Sequence, residues 1–160
     1  MCGIFFYKGD REDAAQMVYG GLKMLEYRGY DSFGIGSIDA SGELRVQKFV
    51  GKVSDEGNYN KINFAKSGLA LGHTRWATHG AVTEKNSHPH VSSGGEIILV
   101  HNGIFENYSE EKNRLIEKGA QFVSETDSEV IANLIEEEIS ESNSDFLGAV
   151  KSVFERIKGS

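Results

Sequence analysis

The chain begins MCGIFFYKG (1–9), and Cys2 is the one cysteine among its 160 residues. A cysteine that leads into an apolar strand is ordinarily a small packing residue. Its position here allows a second, chemical reading. Loss of Met1, which a small second residue permits, leaves Cys2 with a thiol and a free α-amine, groups whose reference pKa values are about 8.5 and about 7.7–8.0. A nucleophile then sits beside its own base. Position alone does not choose between the readings, so the choice falls to the rest of the chain.

Composition sets the frame. At 39% hydrophobic and 26% charged residues, 160 residues suffice for one core, and one domain over 1–160 is expected. Seventeen Lys and Arg against 24 Asp and Glu give a formal charge of −7. Nucleic acid and anionic membrane are poor partners for such a surface. A single cysteine makes no internal disulfide, and no apolar run of about 18 residues or signal-type leader is present, so the expected location is cytoplasmic. The acids gather late, in the run 136–138 and at Glu141 and Asp145, where helical spacing suggests a solvated face.

Two periodicities share the chain. Strand character appears in 4–7, 33–39, 43–50, 69–76, 96–102 and 121–124, with residues 40–42 as a hairpin turn between the second and third. Helical spacing appears in 11–26, with Ala14, Val18, Leu22 and Leu25 on one face, and in 109–118, closed by Gly119. Thr126 and Glu129 suggest a capping box ahead of Val130, Ile131, Leu134, Ile135 and Ile139. Ser144 or Asp145 can cap a last helix over 146–158, with the stripe Leu147, Val150, Phe154 and Ile157. Loose alternation of strands and helices with hairpins points to an α+β fold, antiparallel sheets covered by helices. Nineteen glycines against one proline, spread singly through apolar segments, suggest close backbone approach.

Three segments carry more polar chemistry than structure requires: YRGYDS (27–32), HTRWATHG (73–80) and HNG (101–103), each beside a strand end, where sites are commonly built. Five histidines at 73, 79, 88, 90 and 101 raise the question of a metal, and His88 and His90 would share a face on a strand. No carboxylate or second cysteine stands at a familiar ligand spacing, so no metal and no cofactor are expected.

MCGI, LEYRGYDS, HTRWATHG, HPH, VHNGI with ENY, and SETDSEVIA occur in an order and spacing that resemble the glutaminase domain of the glutamine:fructose-6-phosphate amidotransferase family, from Met1 to Ser160. The resemblance implies an N-terminal nucleophile hydrolase fold, an αββα sandwich of antiparallel sheets. It implies that Cys2 attacks the side-chain amide of L-glutamine, and that the Asn102 amide and Gly103 N–H hold the oxyanion. Arg75, with Thr78 and His79, takes the α-carboxylate; Asp127 and the Gly103 carbonyl take the α-ammonium. Trp76 shields the pocket, His88 and His90 shape a loop over glutamine, and Arg28 braces the region around Cys2. The implied partner is a sugar isomerase domain or subunit acting on fructose 6-phosphate, and a homo-oligomer is compatible with it.

The sequence departs from the family at Phe6, Phe33 and Phe105, bulkier than the residues usual there, and Phe6 stands next to the nucleophile strand. Family glutaminase domains also continue for several more elements, so the expectation is a domain truncated on its C-terminal side. The competing reading is a non-catalytic remnant that binds glutamine or an isomerase partner without turnover; a metal hydrolase built on the histidines is the third.

Overall fold

A computed structural model describes residues 2–77, 80–142 and 144–159. Met1, Thr78, His79, Asn143 and Ser160 lie outside that set. The chain divides into two compact units, Met1–Pro89 and His90–Ser160. The family resemblance runs through both.

The first unit is built on a four-stranded antiparallel sheet in the order β1-β4-β2-β3. Strand β1 is Gly3–Lys8, β2 Ser32–Ile38, β3 Leu44–Val50 and β4 Leu69–Arg75, each close to its sequence expectation. Residues 39–43 close the β2–β3 hairpin, with the Gly42 N–H on the Asp39 carbonyl at 3.0 Å. Side chains alternate across the sheet. Phe33, Ile35 and Phe49 therefore share the face that α1, Ala14–Leu25, covers with Ala14, Ala15, Val18 and Leu22. Phe33, one of the departures, stacks on Phe49 at 5.0 Å and is fully buried, so its bulk goes into the core. Phe6 points to the opposite face and is 57% exposed, away from that core.

Helix α1 starts three residues later than its periodicity suggests. Glu12 and Ala14 are tied to Ser67 by backbone hydrogen bonds of 2.8 and 3.0 Å, and Arg11 pairs with Asp13, so this backbone is committed before the helix begins. Its last turn continues as a 3-10 turn over Glu26–Arg28. A short helix α2, Glu56–Tyr59, is capped by the Asp55 carboxylate on the Gly57 N–H at 2.7 Å.

The second unit carries a two-stranded hairpin and three helices. Strands β5 (His90–Val91) and β6 (Ile98–Leu99) are paired, and α3 (Tyr108–Glu117), α4 (Asp127–Ser142) and α5 (Phe146–Arg156) follow. Only two residues of the expected 96–102 strand pair. The connecting turn is held by Glu136, whose carboxylate takes the Ser92 hydroxyl at 2.5 Å, Gly94 N–H at 2.8 Å and Glu96 N–H at 3.3 Å. Residues 121–124 form no strand, because their backbone donors go to side chains. Gln121 N–H bonds Ser93 Oγ, and Val123 and Ser124 N–H bond the Glu129 carboxylate at 2.9 and 2.7 Å. Glu129 thus acts one turn upstream of the capping-box geometry. Gly119 does close α3, at φ +99°, with its N–H on the Ile116 carbonyl.

Two readings of helix faces are corrected. The 136–138 acids are not a solvated face. Besides Glu136 on the turn, Glu137 makes a two-pronged pair with Arg114 at 2.6 and 2.5 Å and a third bond to Lys118 at 2.7 Å, and Glu138 lies 3.6 Å from Arg156. In α5 the buried positions are Ala149 and Val153, with Val150 and Ile157 of the expected stripe packed partly buried against the same core, while Leu147 and Phe154 are 60% and 58% exposed. Small Ala149 permits close approach to α4, and Arg156, on that face, pairs with Glu111 and Glu138. The helix is rotated accordingly. The unit's core is Val130, Ile131, Leu134 and Ile135 with Leu115, Phe105 and Ile97. No helix among the described residues is long and apolar enough to cross a membrane.

Two outcomes follow from this packing. Arg114 and Lys118 hold the Glu137 carboxyl at about 2, below its ordinary 4.5. A depressed folded-state value contributes stability that is complete above about 4.5 and lost as pH falls toward 2. Melting temperature is expected to drop over that window in the unsubstituted chain and to drop less in Glu137→Gln, as followed by circular dichroism. A Cβ at Gly34 would lie 2.2 Å from the His88 carbonyl oxygen and 2.9 Å from that of Gln47, both backbone atoms. Gly34→Ala is expected to cost about 1–3 kcal/mol in urea unfolding.

Candidate active site

Strand β4 is central to the site in the first unit because it pairs on one side with β1, the start of the chain, and on the other with β2. The β1–β4 register runs from Lys8↔Leu69 to Gly3↔Thr74, and Cys2 and Arg75 are the residues next to its last pair. Arg75 is in turn opposite Ser32. Arg75 and Ser32 form one row on the face away from α1, and Cys2 stands at its β1 end, near enough to Arg75 to act on its charge.

Local hydrogen bonds fix the thiol end of that row. The Gly3 N–H donates to the buried Thr74 hydroxyl at 3.1 Å. The Cys2 sulfur accepts the Trp76 N–H at 3.3 Å, and its S–H faces the Trp76 carbonyl oxygen at 3.8 Å. The cysteine remains partly exposed, as an attacking group must be.

Arg75 is 6% exposed, and its guanidinium donates to the Ala81 carbonyl at 3.2 Å. Burial lowers its pKa, while the charges of Cys2 and Asp31 oppose that shift. A desolvated guanidinium of this kind suits a carboxylate ligand, which supplies both charge and two parallel acceptors. The Ser32 hydroxyl, fully buried beside it, has no hydrogen-bond partner among the described residues.

The other expected residues fall as follows. Trp76 is 43% exposed and packs edge-on against Tyr30 at 5.2 Å, so it is not a core residue. Thr78 and His79 lie outside the described residues. Arg28 is described against its neighbour Tyr27, with Nε 3.1 Å from the phenol oxygen and the guanidinium over the ring. His88 is buried and stacks on His73 at 4.2 Å, with its carbonyl oxygen close over Gly34. His90, in the second unit, meets Thr126 Oγ1 at 2.9 Å. These two histidines engage different partners, and no group of three or more His, Cys, Asp or Glu fit for a metal occurs among the described residues.

In the second unit, Asn102 and Gly103 are exposed in the loop after β6. Asp127 opens α4, where a helix N-terminus favours negative charge. Its Oδ2 accepts the N–H of Phe105, the third departure, which is buried and fixes the 102–105 loop relative to the helix. Ser128 Oγ lies 3.3 Å from Asp127 Oδ1 and 3.1 Å from His101 Nδ1. Burial lowers the His101 pKa, and Asp127 opposes that. A carboxylate has about four lone-pair sites, so Asp127 keeps acceptor capacity for an ammonium.

Two residues of the first unit were not singled out from the sequence. Thr74 carries the Gly3 amide, and Asp31 carries that of Ala77 at 2.8 Å. Asp31 was within sight, as part of YRGYDS. Thr74 likewise falls inside HTRWATHG, but a threonine within a strand does not by itself mark a role.

Residues 33–150 match the glutamine amidotransferase domain family. The glutamine–fructose-6-phosphate aminotransferases (isomerizing) of Aquifex aeolicus and Thermus thermophilus are 47% identical over 161 residues and 46% over 159, 99% of this chain in each case. The Fusobacterium nucleatum enzyme of that name is 43% identical. The chain spans about a quarter, 26%, of the length of each. Among solved structures, the glutamine phosphoribosylpyrophosphate amidotransferase of B. subtilis is 28% identical with a TM-score of 0.78, covering 99% of this chain and 33% of that one. An allosteric regulatory enzyme of purine biosynthesis is also 28% identical, with a TM-score of 0.82, 99% of this chain and 34% of that one. With the domain match over 33–150 and these identities along nearly the whole chain, the chain belongs to the glutamine amidotransferase domain family and has its α+β, N-terminal nucleophile hydrolase fold.

Proposed function

We propose that this chain hydrolyses the side-chain amide of L-glutamine to glutamate and ammonia through a thioester on Cys2. The observation that carries the reading is the placement of the lone thiol: next to the last β1–β4 pair, close to the buried Arg75, with the Trp76 N–H on its sulfur at 3.3 Å. With Met1 removed, the α-amine of Cys2 accepts the thiol proton as sulfur attacks the amide carbon. The C–N bond then breaks, the amine returns the proton to the leaving nitrogen, and ammonia departs. Water adds to the thioester, glutamate leaves, and the thiol is restored.

In this reading Asn102 and the Gly103 N–H stabilise the oxyanion of both tetrahedral states. Arg75, aided by Thr78 and His79, holds the α-carboxylate, Asp127 and the Gly103 carbonyl hold the α-ammonium, and Trp76 shields the pocket. Arg28 and His88 support it. The names of the relatives favour ammonia transfer to a sugar isomerase domain or subunit acting on fructose 6-phosphate; a cytoplasmic location and a homo-oligomer complete the proposal. No cofactor is called for.

A glutamine-like diazoketone is expected to label the processed chain once, at Cys2, and Cys2→Ala is expected to lose both labelling and glutamate release, read by mass spectrometry and a coupled glutamate assay. Labelling without any glutamate release would favour a non-catalytic glutamine-binding module. Arg75→Lys is expected to raise the KM for glutamine at least tenfold, because an ammonium keeps the charge and loses the two-pronged geometry. Asn102→Ala is expected to lower kcat by about 100- to 1,000-fold with KM nearly unchanged. Equal KM effects from the two would remove Asn102 from the oxyanion role.

A further inference from the structure

Three contacts converge on the backbone that leaves β4, and a fourth fixes Asp31, which makes two of them. The Asp31 N–H donates to the Arg75 carbonyl at 3.1 Å, and the Gly51 N–H donates to the Asp31 carbonyl at 2.8 Å. The Ala77 N–H donates to Asp31 Oδ2 at 2.8 Å. Gly29 lies so close to this segment that a Cβ there would be 2.7 Å from the Arg75 carbonyl carbon and 3.0 Å from the Thr74 oxygen. Residues 29–31 thus hold the 74–77 backbone on both sides of Trp76. Between the two Asp31 bonds sits the Trp76 amide, whose N–H is on the Cys2 sulfur.

We infer that Asp31 is a positioning residue for the nucleophile, acting through the Trp76–Ala77 backbone on the Cys2 thiol. The physical basis is that a strand end has unspent backbone groups and frays unless something takes them. Beyond Arg75 the sheet ladder stops, and without Asp31 the Ala77 amide loses its described acceptor. Rotation of the Trp76–Ala77 peptide then carries the Trp76 carbonyl away from the thiol and loosens the Trp76 backbone whose own N–H is on the sulfur. Such a bond is directional, weakening steeply once the donor angle falls below about 120°. The carboxylate's acceptor oxygen and its reach matter here more than its charge. Asparagine keeps an oxygen at the same distance from the backbone, whereas glutamate displaces it by a methylene.

The inference rests on the glutaminase reading and is separable from it. The test uses the full chain with Met1 removed, comparing Asp31→Ala, Asp31→Glu and Asp31→Asn with the unsubstituted protein by glutamine turnover, by the rate of Cys2 alkylation with iodoacetamide, and by thermal melting. Asp31→Ala and Asp31→Glu are expected to fold, to lose at least tenfold in kcat with KM within twofold, and to alkylate at least threefold more slowly. Asp31→Asn is expected to stay within threefold of the unsubstituted protein in all three measures. Unchanged kcat and alkylation in folded Asp31→Ala or Asp31→Glu would overturn the inference. So would a rise in KM without loss of kcat, which would make Asp31 a partner of Arg75 in glutamine binding. Loss of the melting transition in all three variants would overturn it too, by making Asp31 a residue of the fold. An unsubstituted protein that releases no glutamate overturns the functional reading instead, while the alkylation rates still decide whether Asp31 positions the thiol.

Discussion

The arrangement depends on the chain's first residues being a strand beside β4. Pairing Gly3–Lys8 against Leu69–Thr74 fixes the N-terminus to within one rung of Arg75. Chain termini are ordinarily among the least ordered parts of a domain unless tied into a sheet. A terminal nucleophile needs such a tie, since hydrolysis through a thioester requires sulfur, base and electrophile within hydrogen-bonding reach. The ladder supplies coarse placement. The Thr74 hydroxyl on Gly3 N–H and the Trp76 amide on sulfur supply the last ångström.

From that tie the rest of the first unit follows in order. Central β4 must be held on its other edge by β2, and its α1-facing side must be covered. Gly72 lies directly under Val18 and Leu22 of α1, so helix and sheet approach closely. The opposite face of β4 is left to Arg75 and His73, both buried, and to the His88 carbonyl lying over Gly34. One strand therefore gives the core on one side and the polar row on the other, the usual consequence of period-two alternation.

The second unit uses charge in a different way. Its helices are joined by Arg114 on α3, Lys118 at the C-terminal cap of α3 and Arg156 on α5 meeting Glu111, Glu137 and Glu138, and its hairpin turn is gathered by Glu136. A single exposed pair contributes little. Here Glu137 takes three bonds from two cations, and the network also sets which face of α5 turns inward. The Asp127–Phe105 bond then ties the Asn102–Gly103 loop to the start of α4, placing that loop and an acidic residue on one short bridge.

The sequence by itself determined the regular parts: three of the four strands in the first unit to within a residue or so, β1 a residue longer at each end, the β2–β3 hairpin, α3 with its Gly119 closure, and the family to which the chain belongs. Those features are local, set by alternation, turn chemistry and motif spacing, which a linear reading captures. It also marked the polar strand ends, YRGYDS and HTRWATHG, as the chemical segments. What only the tertiary structure decided is every assignment that depends on a partner distant in sequence. Residues 121–124 have strand character yet give their amides to Ser93 and Glu129. The acidic run looks solvated until Arg114, some 23 positions away, is seen to grip Glu137. Leu147 and Phe154 satisfy a helical period, but Ala149 and Val153 are the pair that α4 can approach. Asp31 is the clearest case. No local pattern tells that an aspartate before β2 will hold an amide 46 positions on, because that contact exists only once β2 and β4 are side by side.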